Sequence, residues 1–542
     1  MPAAPCRRHR YFCNLPPVGS PETGALDFVL VCFTHSDWKI TMNSLHTLLS
    51  LPWRCFVAPP VLSGAVALIL LAACSGAPVT PSPPTAVAAT ATAIVNVAPT
   101  ATELPAAESP APDAPAAVEP APPAERAIAV PPAAFTGLYV DLAQELGPIS
   151  PAVYGTNFGP WTGLSPTGLG LAKEAGITVI RWPGGEWGDA NTIQTSQLDF
   201  FVSIAQMMGS EPYIHVNLRT GTPEAAAELV RYANLEKGYG VRYWAIGNEP
   251  SLFQGHDERW TTDYYNAQWR IFAEAMRAVD PTILLLGPEV HQFTANLAAN
   301  PKDSQGKDWT DEFLKANGDL VDIVTVHRYP FPISSNAGSA PKELMRANPA
   351  EWPLIVEALR SQVRTLTGRE IPVAIAEVNS HWSRAAGGET TPDSLFNAVW
   401  WADVLGKLIA SRVEMVNYFM LSTSGSGDGF GMLTSYAARP TYYTQLLYSQ
   451  FGETLLAAFS DDPFVSVYAA RRTDGALTLM LVNIGPEAVE KPLALAGLPE
   501  GASAELLRLD AEHSAAPVEA PPVSAEMTIL LPAESVSLLT IR

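Results

Sequence analysis

Beyond Phe135 the chain alternates short apolar runs with amphipathic helical stretches, and this alternation limits the fold more than any other feature. Candidate strands fall at residues 152–158, 177–182, 212–217, 242–246, 282–286, 321–326, 372–376 and 414–420. Between them lie segments such as 197–208, where Leu198, Phe201, Ala205 and Met208 recur at helical spacing, and 222–234, where Thr222 can cap and Pro223 suits a first turn. Eight strand-helix units in series predict an α/β fold, a (β/α)₈ barrel over 135–455. The texture then changes. Segments such as Val465–Arg471 and Leu477–Asn483, joined by Thr473-Asp474-Gly475, alternate with period two, predicting a small antiparallel β-sandwich over 456–542 that strand 137–142 can join.

The first quarter reads differently. Residues 61–73 form an apolar run preceded by Arg54 and followed by Cys74, the pattern of an export signal and too short for a permanent membrane span. Leu71-Ala72-Ala73-Cys74 resembles a bacterial lipoprotein box, which makes 42–74 a signal segment and Cys74 a lipidation site. The expected location is the outer cell surface, tethered to the membrane by that lipid. Residues 1–41 resemble no export signal, and Met42 is the better start. From 75 to 134 the chain is almost all Ala, Pro, Thr, Val, Ser and Glu, which cannot bury enough apolar surface to fold and reads as an extended spacer.

Composition narrows the chemistry. All five cysteines precede residue 75, so the folded part has no thiol nucleophile, disulfide or cysteine metal site. A formal net charge of -21 repels phosphate backbones and argues against a nucleic-acid partner. No phosphate loop, His-Glu metal helix or serine nucleophile elbow is present, and no metal or cofactor is called for.

Catalytic groups in such barrels lie just past the C-terminal ends of the strands. The fourth candidate strand ends in Ile246-Gly247-Asn248-Glu249-Pro250, and the seventh in Ile375-Ala376-Glu377-Val378-Asn379-Ser380. Glutamates in these positions face each other across the mouth, as glycosidic cleavage requires: one carboxyl protonates the leaving oxygen while the other acts at the anomeric carbon. His327 and Tyr329, two apart after the sixth strand, point the same way, and Tyr329 can donate to Glu377. Trp161, Trp187 and Trp382 follow strands one, two and seven and can stack on sugar faces. Glu186 and Glu289 read as helix-start carboxylates.

These motifs resemble clan A glycoside hydrolases over roughly 147–421. Within the clan, residues 149–158, Arg181-Trp182-Pro183-Gly184-Gly185 and Val326-His327-Arg328-Tyr329 look most like α-L-arabinofuranosidases. Glu377-Val378-Asn379-Ser380 is similar to heparanase and β-glucuronidase relatives, and the layout to family 39 β-xylosidases. The resemblance implies a retaining hydrolase of polysaccharide or oligosaccharide with Glu249 as acid/base and Glu377 as nucleophile. It also implies that Asn248 bonds the hydroxyl next to the anomeric carbon and that Arg181 bonds near the nucleophile. A retaining site predicts carboxyl groups about 5 Å apart. The competing reading is a catalytically inactive surface carbohydrate-binding protein, and for Arg181, His327, Tyr329 and the tryptophans the plainer alternative is packing.

Overall fold

The computed structural model describes residues 130–331, 340–382, 384–424 and 428–542. The readings of 1–41, of the signal segment and Cys74, and of nearly all the spacer lie outside them. The chain enters on β1 (Leu138–Pro148), then builds eight parallel strands: β2 (Gly155–Asn157), β3 (Val179–Trp182), β4 (Glu211–Val216), β5 (Tyr243–Ile246), β6 (Leu284–Val290), β7 (Ile323–Arg328), β8 (Val373–Val378) and β9 (Met415–Tyr418). They close into a barrel in chain order, β9 pairing with β2.

Small and large inward residues fill its interior. Ala245, Ala374 and Ala376 sit among Val179, Tyr213, Tyr243 and Met415, all buried. The other side of each strand packs on the helices: in Trp352–Thr367, Ile355, Val356, Leu359 and Val363 recur at helical spacing and are buried.

Two expectations about strands need correction. The run 152–158 is strand only from Gly155. Ser150 accepts a hydrogen bond from the Ala152 amide and Pro151 opens the turn, so Pro151–Tyr154 coils as a 3₁₀ helix. The run 282–286 continues as strand to Val290, through a bulge after Pro288. Glu289 therefore belongs to β6 with φ 56° and starts no helix.

After the barrel come β10 (Thr454–Ser460), β11 (Val465–Arg471), β12 (Leu477–Asn483), β13 (Val489–Ala496), β14 (Ala504–Leu509), β15 (Ser514–Val518), β16 (Glu526–Leu531) and β17 (Ser535–Ile541). With β1 they form one nine-stranded, curled sheet in which β1 lies between β10, antiparallel, and β13, parallel. Period-two alternation divides its faces. Leu477, Leu479, Leu481, Leu539 and Ile541 enclose the sheet's own core. Met480, Val482, Val536 and Leu538 join the barrel's core instead. At that seam the Tyr468 hydroxyl donates to the Asp403 carbonyl at 3.1 Å. A Cβ on Gly406 would lie 2.1 Å from the Tyr468 ring, so the close approach requires glycine.

Candidate active site

One buried cation organises the barrel mouth. Arg181, inward on β3 two residues after Val179, is fully buried, and its guanidinium reaches four groups. It donates to Asn157 Oδ1 at 3.0 Å, Glu377 Oε1 at 2.7 Å, Asn248 Oδ1 at 2.6 Å and Glu289 Oε2 at 2.5 Å. The two carboxylates and two amides come from different strands, and the guanidinium's fork geometry holds them in one layer.

Glu377, on β8, is 4 % exposed at its side chain. Both of its oxygens are bonded: Oε1 to Arg181, and Oε2 to the Tyr329 hydroxyl at 2.7 Å. Glu249 is different. Its side chain is 22 % exposed, and only Oε1 has a partner among the described residues, His327 Nδ1 at 3.0 Å. Its backbone is left-handed, φ 47° and ψ 53°, two residues after Gly247 at φ 83°. Two hydrogen bonds hold this turn. The Asn248 amide donates to Asp189 Oδ1 at 3.1 Å, and the Glu249 amide to the Glu289 carbonyl at 3.1 Å. Asp189 is itself buried against His215 Nε2 at 3.2 Å; burial raises its carboxyl and His215 opposes the rise. Because Arg181 occupies Asn248 Oδ1 and the backbone N–H is held by Asp189, the side-chain Nδ2 of Asn248 is the end left to donate to a sugar hydroxyl.

A ligating atom each from Glu249, His327 and Glu377 lie within 4.8 Å of one another. One oxygen of Glu249 and one of Glu377 therefore approach within 4.8 Å, which puts both carboxylates at a single site. His327 completes the charge pattern. Burial works against its cation, but Glu377 above all, with Glu249 and Glu289, raises the imidazole to about 9. At neutral pH it is an imidazolium that donates from Nδ1 to Glu249, with Nε2 3.8 Å from Glu289 Oε2. A metal ion on Glu249, His327 and Glu377 would have to displace that proton.

Sequence reasoning missed Glu289 and its partner Tyr213. Glu289 is buried, accepts from Arg181 and receives the Tyr213 hydroxyl. Burial would raise its carboxyl, but Arg181 and then His327 hold it well below the usual carboxylate range. The available signal was a polar residue right after an apolar run, the same cue that exposed Glu249. The tryptophans divide. Trp161 and Trp187 line a pocket of about 410 Å³ beside the site, whereas Trp382 is 52 % exposed and is not part of that lining.

Comparisons with known proteins give a likeness in sequence and in fold. No family model matches the chain. An intracellular exo-α-(1→5)-L-arabinofuranosidase of Streptomyces lividans is 27 % identical over 227 residues, 33 % of this chain and 31 % of that relative. A probable α-L-arabinofuranosidase C of Aspergillus clavatus is 27 % identical over 429 residues, 65 % of this chain and 82 % of that relative. The chain is similar in sequence to α-L-arabinofuranosidases, in line with the resemblance of its motifs to clan A glycoside hydrolases. The match to the Streptomyces enzyme spans about a third of that protein's length. The α-L-arabinofuranosidase of Thermotoga maritima, solved with arabinose, superimposes with a TM-score of 0.60 at 20 % identity, covering 75 % of this chain and 99 % of that one, which shows the shared fold.

The imidazolium gives the protein a pH signature. A folded-state value raised from 6.5 to about 9 stabilises the fold fully below about pH 6.5 and loses that contribution as the pH rises through 9. His327→Gln is expected to remove this component from the pH dependence of unfolding. It should also leave Glu249 without the one side chain that positions its carboxyl among the described residues. Denaturant titrations of both proteins between pH 6 and 10 check the first part. An unchanged difference in stability across that range would count against an imidazolium.

Proposed function

We propose that the protein is a retaining glycoside hydrolase that removes or cleaves arabinofuranose-type units in plant polysaccharide or oligosaccharide. The observation that carries this reading is the asymmetry of two close carboxylates: Glu377 buried with both oxygens bonded, Glu249 partly exposed with one oxygen free of protein partners among the described residues. Glu377, held by Arg181 and Tyr329, attacks the anomeric carbon while Glu249 gives its proton to the leaving oxygen. A covalent glycosyl-enzyme forms. Glu249, now the base, takes a proton from water, which displaces Glu377 and restores the starting anomer. Asn248 bonds the neighbouring hydroxyl through both steps. The relatives' printed names make the arabinofuranosyl group the first substrate to test. Aryl glycosides of α-L-arabinofuranose, β-D-xylose and β-D-glucose, with the first anomer followed by NMR, check the reading: turnover with retention is expected. No turnover on any of them, or an inverted first product, would overturn it.

We further propose that the enzyme works at the outer cell surface, tethered through lipid on Cys74, with 75–134 as the spacer that lets the barrel reach bulky substrate. Cys74→Ala is expected to leave the precursor unprocessed and without lipid. Labelling with a fatty-acid analogue reads this directly, and equal labelling of the variant would end the idea.

A further inference from the structure

The strand order locates a hollow on the side of the mouth opposite the acid/base. In the eight-strand ring β9 stands four places from β5, so the loops after β9 and its neighbours β8 and β2 face Glu249 across the mouth. There Trp161 after β2, Arg384 after β8, and Phe419 and Phe430 after β9 line the pocket of about 410 Å³, which the loop after β3 completes with Gly185, Glu186, Trp187 and Ala190. Glu249 and Glu377 are not in its lining, yet it adjoins the nucleophile from two directions. The Phe419 ring lies 6.2 Å from that of Tyr329, whose hydroxyl is on Glu377, and packs edge-on against Phe430 at 5.3 Å. On the other side Gly184 and Gly185 link floor to wall. A Cβ on Gly184 would lie 3.4 Å from the Arg181 guanidinium, and one on Gly185 3.6 Å from the Trp161 ring.

The bond to be broken runs from the anomeric carbon against Glu377 to the leaving oxygen against Glu249. The leaving group therefore lies on the β5 side, and anything attached to the non-reducing side of the cleaved sugar extends away from it. That direction leads to β9 and β2. Two tryptophans there, Trp161 40 % exposed and Trp187 partly so, offer ring faces, and the charged ends of Glu186, Arg384 and Asp428 suit hydroxyls.

We propose that this hollow is a subsite for a second sugar unit, on the non-reducing side of the cleaved bond. The enzyme then acts on chains extended or substituted on the glycone, and releases a fragment longer than a single sugar. This rests on the glycoside hydrolase reading above. It differs from that reading in what it requires of the substrate.

The test compares an aryl monoglycoside with the aryl bioside of the same sugar, for arabinofuranose and for xylose, on the full chain. For the sugar that is turned over, the bioside should be favoured by about tenfold or more in kcat/KM, with the disaccharide as first product. Trp161→Ala should cost the bioside about tenfold more than the monoglycoside, and Ala190→Trp, which fills the pocket from an exposed lining position, should show the same selectivity. Equal handling of the two substrates, release of single sugars only, or equal losses on both in either variant would overturn the subsite. If no glycoside is hydrolysed, the hydrolase reading fails, and calorimetry still reads the pocket. About tenfold tighter binding of the disaccharide than the monosaccharide, lost in Trp161→Ala, would support it, and equal binding would overturn it.

Discussion

Glu377→Gln is expected to abolish turnover by roughly four or more powers of ten, about 5 kcal/mol or more of transition-state stabilisation, for good and poor leaving groups alike. The amide is nearly isosteric but cannot form the glycosyl-enzyme, so no leaving group, however activated, has a nucleophile to replace it. Glu249→Gln should behave differently. It removes the proton donor only, so activated aryl glycosides still glycosylate Glu377 while poor leaving groups lose the most. The side chains predict this division. Glu377 has both oxygens engaged by Arg181 and Tyr329, as suits an anion held for attack. Glu249 is bonded at one oxygen and 22 % exposed, as suits a group that must meet leaving oxygen and water in turn. Initial rates of both variants across aryl glycosides of graded leaving-group pKa check the assignment. If the two variants show equal sensitivity to the leaving group, the roles are wrong.

The parts of this site that were readable in the sequence share one property: they stand where an apolar run stops. Glu249 and Glu377 each follow a β-run at the barrel mouth, and His327 and Tyr329 follow another with period two. Glu289 stands in the same kind of place, yet its sequence surroundings read as a helix start. Gly287-Pro288 ahead of it has the composition of a strand terminator, whereas the chain bulges there and keeps its pairing with β7. Tyr213 was hidden for the opposite reason. An aromatic in the middle of a buried strand reads as core, and only the closure of the ring shows that its hydroxyl reaches Glu289. Asp189 and Asn248, 59 residues apart, meet through topology alone. The same holds for β1, whose parallel neighbour β13 lies on the far side of the whole barrel in sequence. Alternation revealed that strands 137–142 and 465–471 exist; it carried no information on which strand each would pair with.

Arg181 makes the second large prediction, because its loss falls on fold and chemistry together. Arg181→Met keeps much of the side chain's volume but leaves Glu289 and Glu377, both buried, without the guanidinium that bonds them, His327 standing off at 3.8 and 3.7 Å. Breaking a buried ion pair from one side typically costs about 3–5 kcal/mol, since the stranded charge remains in a low-dielectric interior. The pH dependence identifies the cause. In the wild type, burial pushes the Glu289 carboxyl up from its ordinary 4.5, and Arg181 outweighs that and depresses it. A depressed folded-state value contributes stability above about pH 4.5 that is lost as the pH falls. Without Arg181 only His327 is left to oppose burial, so the depression weakens and the deficit of Arg181→Met should be largest near pH 7 and shrink toward pH 4. Arg181→Met combined with Glu289→Gln should regain part of the lost stability, because one stranded charge is gone. Its activity should stay near the floor, because Glu377 still lacks its donor and Asn248 is no longer held by its Oδ1. Denaturant unfolding of the single and double variants at pH 4 and pH 7 measures this coupling directly. A single variant within about 1 kcal/mol of wild type, or a double variant no more stable than the single, would show that Arg181 is packed among these carboxylates without being the charge that holds them.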